Sequence, residues 1–455
     1  MSAFNPSRSI LPYIEINGVS FIAESWNCTR PAYGSVGSFR AQVSREVLNS
    51  AELNLFNVGS QATSQVPVYI KVTENGQTTT LWGGEMDTVS THYDSDTVTI
   101  SGRDWAGLLV DTKRPIQSTQ VVGGTTQSFT PGATNVAATG AAVADFTAAI
   151  GSAANVQNKT PSQIAYYIAA RNSFLPQVYT YPNEPEIGAL FSGLHVNASS
   201  PRTEWSILQY MARLLGWVCF VTPTRQLYFG PFTAGTPLDL SWKQSPVPDG
   251  MLPCNDLEIT YNPRRNSNFL VVVESFDLET VARTTGVVGV AHPGTISQVL
   301  TAFPQVNVQN NRFIVGTAGT SSGSSLGALF TALGKPVYVY THPNLNASQA
   351  EQQAFSMALE LAKRELIMRC RVDGSATLTP LQTVRMHGDL GDFAGQDYYV
   401  NSLEHSFDLD EGWYTHLHGW TLGPQGPNGA FLQATEINGV VTTNQTPVLM
   451  TSANG

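Results

Sequence analysis

Tyr13-Ile14-Glu15-Ile16 and Val19-Ser20-Phe21 flank Asn17-Gly18. An Asn-Gly pair between two alternating apolar runs specifies a tight hairpin, because both turn positions need a left-handed backbone that other residues resist. The same grammar recurs over the next hundred residues. Phe39, Ala41 and Val43 alternate with polar neighbours, and Val66–Glu74 turns through Asn75-Gly76 into Thr78–Trp82. Tyr93-Asp94-Ser95-Asp96 then leads to Val98-Thr99-Ile100. Short strands at this spacing close into a barrel or pack as a sandwich. A second strand-rich region starts near Leu238, with candidate strands at Leu257–Tyr261, Phe269–Val273, Pro336–Tyr340, Ala376–Leu378, Val384–Met386, Tyr398–Leu403 and Trp413–Leu417.

Helices separate these regions. Asp104 is placed to cap a short one. Thr160-Pro161-Ser162-Gln163 combines an N-cap, a proline at the first helical position and a glutamine three residues on, with Ile164, Tyr167 and Ile168 as the apolar face. Trp205, Leu208, Met211, Ala212 and Leu215 share a helix face that Gly216 is placed to end. An aromatic hairpin follows, Trp217–Val221 and Leu227–Phe229 around Thr222-Pro223-Thr224-Arg225. Ser348-Gln349-Ala350-Glu351 forms a capping box ahead of a stripe of Phe355, Ala358, Leu359, Ala362 and Leu366, which predicts a long helix over 348–370.

Three stretches carry a single charge each: Asp145 within Pro115–Asn158, Arg312 within Gly294–Gly334, and Glu436 within Gly423–Gly455. The expected class is mainly β with α (α+β), two tube-like β-barrel domains flanking a helix-containing middle region. The corresponding division is a first barrel over 1–115, an insertion and middle domain over 116–236, a second barrel over 237–422 and an extension over 423–455. The second barrel carries an inserted loop at about 294–334 and the 348–370 helix.

Charged residues are 13% of the chain, about half the usual share. Such a surface suits a subunit whose faces are covered by neighbours, and also suits secreted β-proteins. The net charge of −10 argues against a nucleic-acid binder, since that affinity comes from Lys and Arg on phosphates. Cys28, Cys219, Cys254 and Cys370 have no metal-type spacing and read as free thiols. No apolar run approaches a membrane span and Met1–Ile10 has no apolar leader core, so a soluble protein made in the cytoplasm is expected, without membrane insertion.

Candidate chemistry is sparse. Ser321 and Ser325 each sit in a G-x-S-x-G pattern, but in a Gly/Ser run rather than between a strand and a helix, which is the reading of a loop. His416 and His418 share a strand face, and His405 is near in sequence. They are the one conceivable metal set, lacking a carboxylate or Cys at useful spacing. No catalytic residue and no cofactor are expected. Carboxylates such as Asp389, Asp397, Asp408 and Glu411 leave open a secreted or virion-borne β-rich glycan hydrolase or glycan-binding protein. An adhesin-like module is a third reading.

Four segments carry a resemblance to a known family. They are Leu81-Trp82-Gly83-Gly84-Glu85-Met86 running to Val98–Asp104, Trp205–Gly230, Ser348–Arg371, and Gly388–Thr415, in which Tyr398–His405 precedes Gly412-Trp413-Tyr414-Thr415. In this order and spacing the chain resembles phage tail baseplate hub proteins, also called late control or tail hub proteins, which are similar to the hub part of type VI secretion spikes. The resemblance implies a structural, non-enzymatic subunit of the virion tail baseplate, assembled in the host cytoplasm. It further implies a homotrimeric ring between the tail tube and the spike protein, in contact with tape-measure and baseplate wedge proteins, with DNA passing through the lumen without specific binding. A contractile tail is the expected setting. Trp413, Tyr414, Val440 and Val441 are the candidate assembly contacts, the valines because 423–455 is suited to add a strand to a neighbour.

Overall fold

Asn17 and Gly18 adopt φ of 50° and 80°, and the hairpin they close pairs Ile16 with Val19. This is the first turn in a computed structural model that describes residues 10–32, 34–50, 66–74, 76–111, 113–114, 119–122, 125–128, 160–180, 184, 202–215, 217–231, 236–262, 269–276, 283–290, 307–309, 313–315, 337–342, 345, 347–420, 435–437, 440–442 and 448–451. Strands β1 (Ile10–Ile16), β2 (Val19–Phe21), β3 (Ser25–Pro31), β4 (Ser38–Ser44), β5 (Pro67–Glu74), β6 (Gln77–His92) and β7 (Thr97–Asp104) form the first barrel, with helix α1 (Arg45–Ser50) after β4. Their sheet order is β2-β1-β5-β6-β7-β4-β3, antiparallel throughout. The apolar members of the alternation (Ile14, Ile16, Trp26, Phe39, Val43, Ile70, Trp82 and Ile100 among them) share one buried cluster, so the sheet curls around its own core.

The middle body follows. Helix α2 (Ala106–Asp111) is capped as expected: the Asp104 carboxylate accepts from Ala106 N at 3.0 Å. Short ladders join β8 (Lys113–Arg114) to β12 (Arg202–Thr203), and β9 (Thr119–Val122) to β10 (Thr125–Ser128). Helix α3 (Pro161–Arg171) opens on a complete capping box. Thr160 Oγ1 accepts from Gln163 N at 3.3 Å, and Gln163 Oε1 from Thr160 N at 3.2 Å. Helix α4 (Glu204–Leu215) buries Trp205, Leu208, Met211, Ala212 and Leu215. These helices pack on β11 (Leu175–Thr180), β13 (Val218–Val221) and β14 (Gln226–Gly230).

The second barrel starts with β15 (Leu238–Trp242) and β16 (Leu252–Tyr261) and is then interrupted. The interruption holds a five-stranded sheet of β17 (Phe269–Phe276), β18 (Arg283–Val290), β19 (Asn307–Gln309), β20 (Phe313–Val315) and β21 (Val337–Thr341), followed by helix α5 (Ala347–Ala362). Phe269, Val271, Val288, Phe355 and Leu359 join the same core as α3 and α4, so in packing terms this segment belongs with the middle body. The barrel resumes with β22 (Leu366–Asp373), β23 (Thr383–Gly388), β24 (Asp397–Asp408) and β25 (Gly412–Trp420). The helix expected over 348–370 therefore stops at Ala362. Leu366 continues the helical stripe in spacing, but Leu366, Met368, Cys370 and Val372 are all buried, the period-two pattern of a strand. Pairings β24–β23–β15–β16–β22–β25–β24 close a six-stranded barrel. Beyond it, β26 (Thr435–Ile437) pairs with β27 (Val440–Thr442), and β28 (Val448–Leu449) pairs with β11. Ser321 and Ser325 lie outside the described residues.

The two barrels repeat one topology. Five strands in chain order, β3-β4-β5-β6-β7, stand in the sheet as β5-β6-β7-β4-β3, and β16-β22-β23-β24-β25 stand as β23-β24-β25-β22-β16. All four contacts are antiparallel in both. The register matches too: β6 bulges just past the Met86↔Gly102 pair, and β24 just past Val400↔Gly419. The sixth strand differs, with β1 antiparallel to β5 and β15 parallel to β23.

Candidate assembly site at the barrel junction

One ladder joins the two barrels. The outer edge of β3 pairs with β24 from Ser25↔Asp408 to Pro31↔Ser402, making a continuous thirteen-stranded sheet. Strand alternation gives this seam two faces.

The inward face is apolar and then ionisable. Trp26 stacks on Phe407 with ring centroids 6.0 Å apart. Cys28 stands opposite His405, and Arg30 opposite Leu403. His405 is fully buried, and its Nδ1 shares a 2.9 Å hydrogen bond with Thr415 Oγ1. Burial, with the Arg30 charge adding to it, pulls its pKa down to about 3, so the ring is neutral. Burial also pushes the Cys28 thiol up. Asp104 lies at the far end of the seam. Its carboxylate accepts from Gly37 N at 2.7 Å and Ala106 N at 3.0 Å. Burial outweighs those bonds and the charges of Arg30 and Arg103, raising its pKa to about 7.

The outward face is a polar groove of about 390 Å³, lined by Asn27, Arg40, Gln42, Glu404, Asp408, Tyr414 and His416 among others. The Arg371 guanidinium sits 3.9 Å over the Tyr414 ring, and His416 meets that ring edge-on at 5.3 Å.

The three histidines conceivable from sequence as a metal set do not converge. His416 and His418 do share an outer face, exposed and half-buried, but His405 points into the core. β24 presents 405 with the inward set that also holds Leu403. Among the described residues no three His, Cys, Asp or Glu come together as metal ligands. Trp413 packs against the first barrel's core and covers Gly374, where a Cβ would fall 2.1 Å from its ring. Tyr414 alone of the aromatic pair faces the groove. Val440 and Val441 pair with Ile437 and Glu436, and their side chains lie outside the described set. Arg30, Arg40 and Glu404 were not singled out from sequence. The signal for Arg30 was present as the inward member after Trp26 and Cys28.

No protein-family model and no curated protein matches the chain. Solved structures do. The tail protein from Neisseria meningitidis MC58 aligns over 92% of this chain and 99% of its own, with a TM-score of 0.53 at 13% identity. The prophage MuSo2 43 kDa tail protein from Shewanella oneidensis aligns over 91% and 99%, with a TM-score of 0.50 at 13% identity. At that identity the likeness is one of fold. The two barrels, the body between them and their order thus identify the fold of this chain as that of phage tail proteins.

Proposed function

We propose that this chain is a structural subunit of a phage tail, a baseplate hub in which three copies form a ring between tube and spike. The observation that carries this reading is the repeat joined by the β3–β24 seam. In the repeat β6 corresponds to β24, and β16 to β3. Among the described residues, Thr88–His92 of β6 has no strand on the side away from β7, and Glu258–Thr260 of β16 has none on the side away from β22. Carrying the seam's register over pairs Ser90 with Thr260 and His92 with Glu258 of a neighbouring copy. Repeated around a threefold axis, this gives six similar barrels and leaves neither edge open, which also explains how so few charges protect the surface.

In this reading the sheet's polar face lines the lumen. Glu404 and Asp408 line the groove together with Arg40, which suits passage of DNA without binding. The spike, tube, tape-measure and wedge proteins are the partners, in a contractile tail, and the protein has no catalytic role. The test is mass by light scattering together with oxidation of a Ser90→Cys/Thr260→Cys double variant. Covalent trimers are expected, and neither single variant should give them. A stable monomer, or a trimer that never cross-links, would sink this reading.

A further inference from the structure

A strand far beyond the second barrel returns to the middle body. β25 ends at Trp420, and β28 begins at Val448. β11 is already paired on one side, in parallel with β14. β28 takes its other edge antiparallel, Tyr179↔Leu449 and Thr180↔Val448. Met450 N donates to Val178 O at 2.8 Å, and Tyr166 Oη donates to Thr451 O at 3.3 Å. Val448 and Leu449 keep 58% and 47% of their surface exposed, whereas Met450 keeps 6%. Met450 sits in the core that holds Val178, Ile164 and Ile168.

This segment is held as a peptide ligand is held. A short backbone ladder sets direction and register, and one side chain fills a pocket. Its other side chains contribute little, because they stay in water. We propose that the edge of β11 away from β14, with the apolar site that holds Met450, is a strand-acceptor groove. Its ligand is an extended apolar peptide carrying methionine two residues after the one paired with Thr180, and residues 448–451 of this chain fill it as a separable strap. Residues 448–451 pair with their own chain here, beside the sequence expectation of a strand given to a neighbour's edge. Nothing in this inference depends on the ring reading.

A chain ending at Asn444 tests it, offered a fluorescent peptide spanning Gln445–Gly455. Circular dichroism first confirms that the shortened chain is folded. Saturable one-to-one binding by anisotropy is expected, at least about tenfold weaker for the Met450→Asp peptide. A folded body that ignores the peptide, or that binds both peptides equally, overturns the proposal. Should the shortened chain not fold, a protease site between Asn444 and Gln445 allows cleavage after folding of the full chain. The cut fragment should then stay with the body in gel filtration and exchange with excess labelled peptide. Loss of the fragment without rebinding, or retention without exchange, overturns the proposal equally.

Discussion

Gly102 and Gly419 hold the same place in two different barrels. Gly102 stands opposite Met86 and Gly419 opposite Val400, each pair directly before a bulge. A Cβ on Gly102 would lie 1.9 Å from the Glu85 carbonyl oxygen, and one on Gly419 would lie 2.9 Å from the Tyr399 carbonyl oxygen. Glu85 and Tyr399 are themselves equivalent, each preceding the paired residue. Bulges re-aim a strand, and here the same bend lets β24 leave β23 and reach β3. The matching bend in β6 leaves its far end clear of β5, so one local device frees the outer edge of β24 and of β6 alike.

The two glycines should differ in tolerance. Gly102→Ala forces the Glu85 carbonyl aside and is expected to cost about 1–3 kcal/mol. Gly419→Ala meets a looser contact and should cost clearly less. Denaturant midpoints of the two variants check this, and equal losses would contradict the geometry.

Glu204 is fully buried, with an ion pair to Arg171 and a 2.7 Å bond from Asn172 Nδ2. Removing one partner strands a buried charge, so Glu204→Ala should cost about 3–5 kcal/mol. Lys71 pairs with Glu15 at 2.7 Å with each side chain still 22% exposed, so Lys71→Ala should cost clearly less than Glu204→Ala, about 1 kcal/mol. Urea unfolding of both variants separates the two cases.

His405 and Asp104 should tilt stability against pH in opposite senses. The folded chain keeps His405 neutral down to about pH 3, while the unfolded chain protonates it below about 6.5. Acidification through that window therefore removes stability, by at most about 1.4 kcal/mol per pH unit. Asp104 keeps its proton up to about pH 7, above the unfolded carboxylate range, so stability is gained as pH falls from 7 toward 4. His405→Gln should lift the acid side of the profile relative to the parent, and Asp104→Asn should lower it relative to the parent. Melting temperatures at pH 4.5, 5.5 and 7 read both.

Catalysis is expected to be absent. Purified protein should not turn over peptidoglycan, common glycans or simple esters. Activity lost on Glu404→Gln or Asp408→Asn would point to the groove as an enzyme site, and activity lost on Ser321→Ala or Ser325→Ala would point to the Gly/Ser run.

Local signals in the sequence settled much of the fold. Asn17-Gly18 fixed a hairpin, Thr160–Gln163 a helix start, and the Trp205–Leu215 stripe a buried helix face, because each rests on residues within one turn or one helix. The order and spacing of such segments also carried the resemblance to tail proteins. What only the tertiary structure decided depends on long-range contacts. Leu366 fits a helix stripe and a strand alternation equally, and the β16 and β25 ladders on either side of β22 chose the strand. His405 was placed inward by pairing with Cys28, far away in sequence. The strands of 269–341 joined the middle body rather than the barrel because Val271 and Val288 pack against α5 and its neighbours. The repeat itself is read from register and bulge position, which are set by backbone pairing that many side chains satisfy.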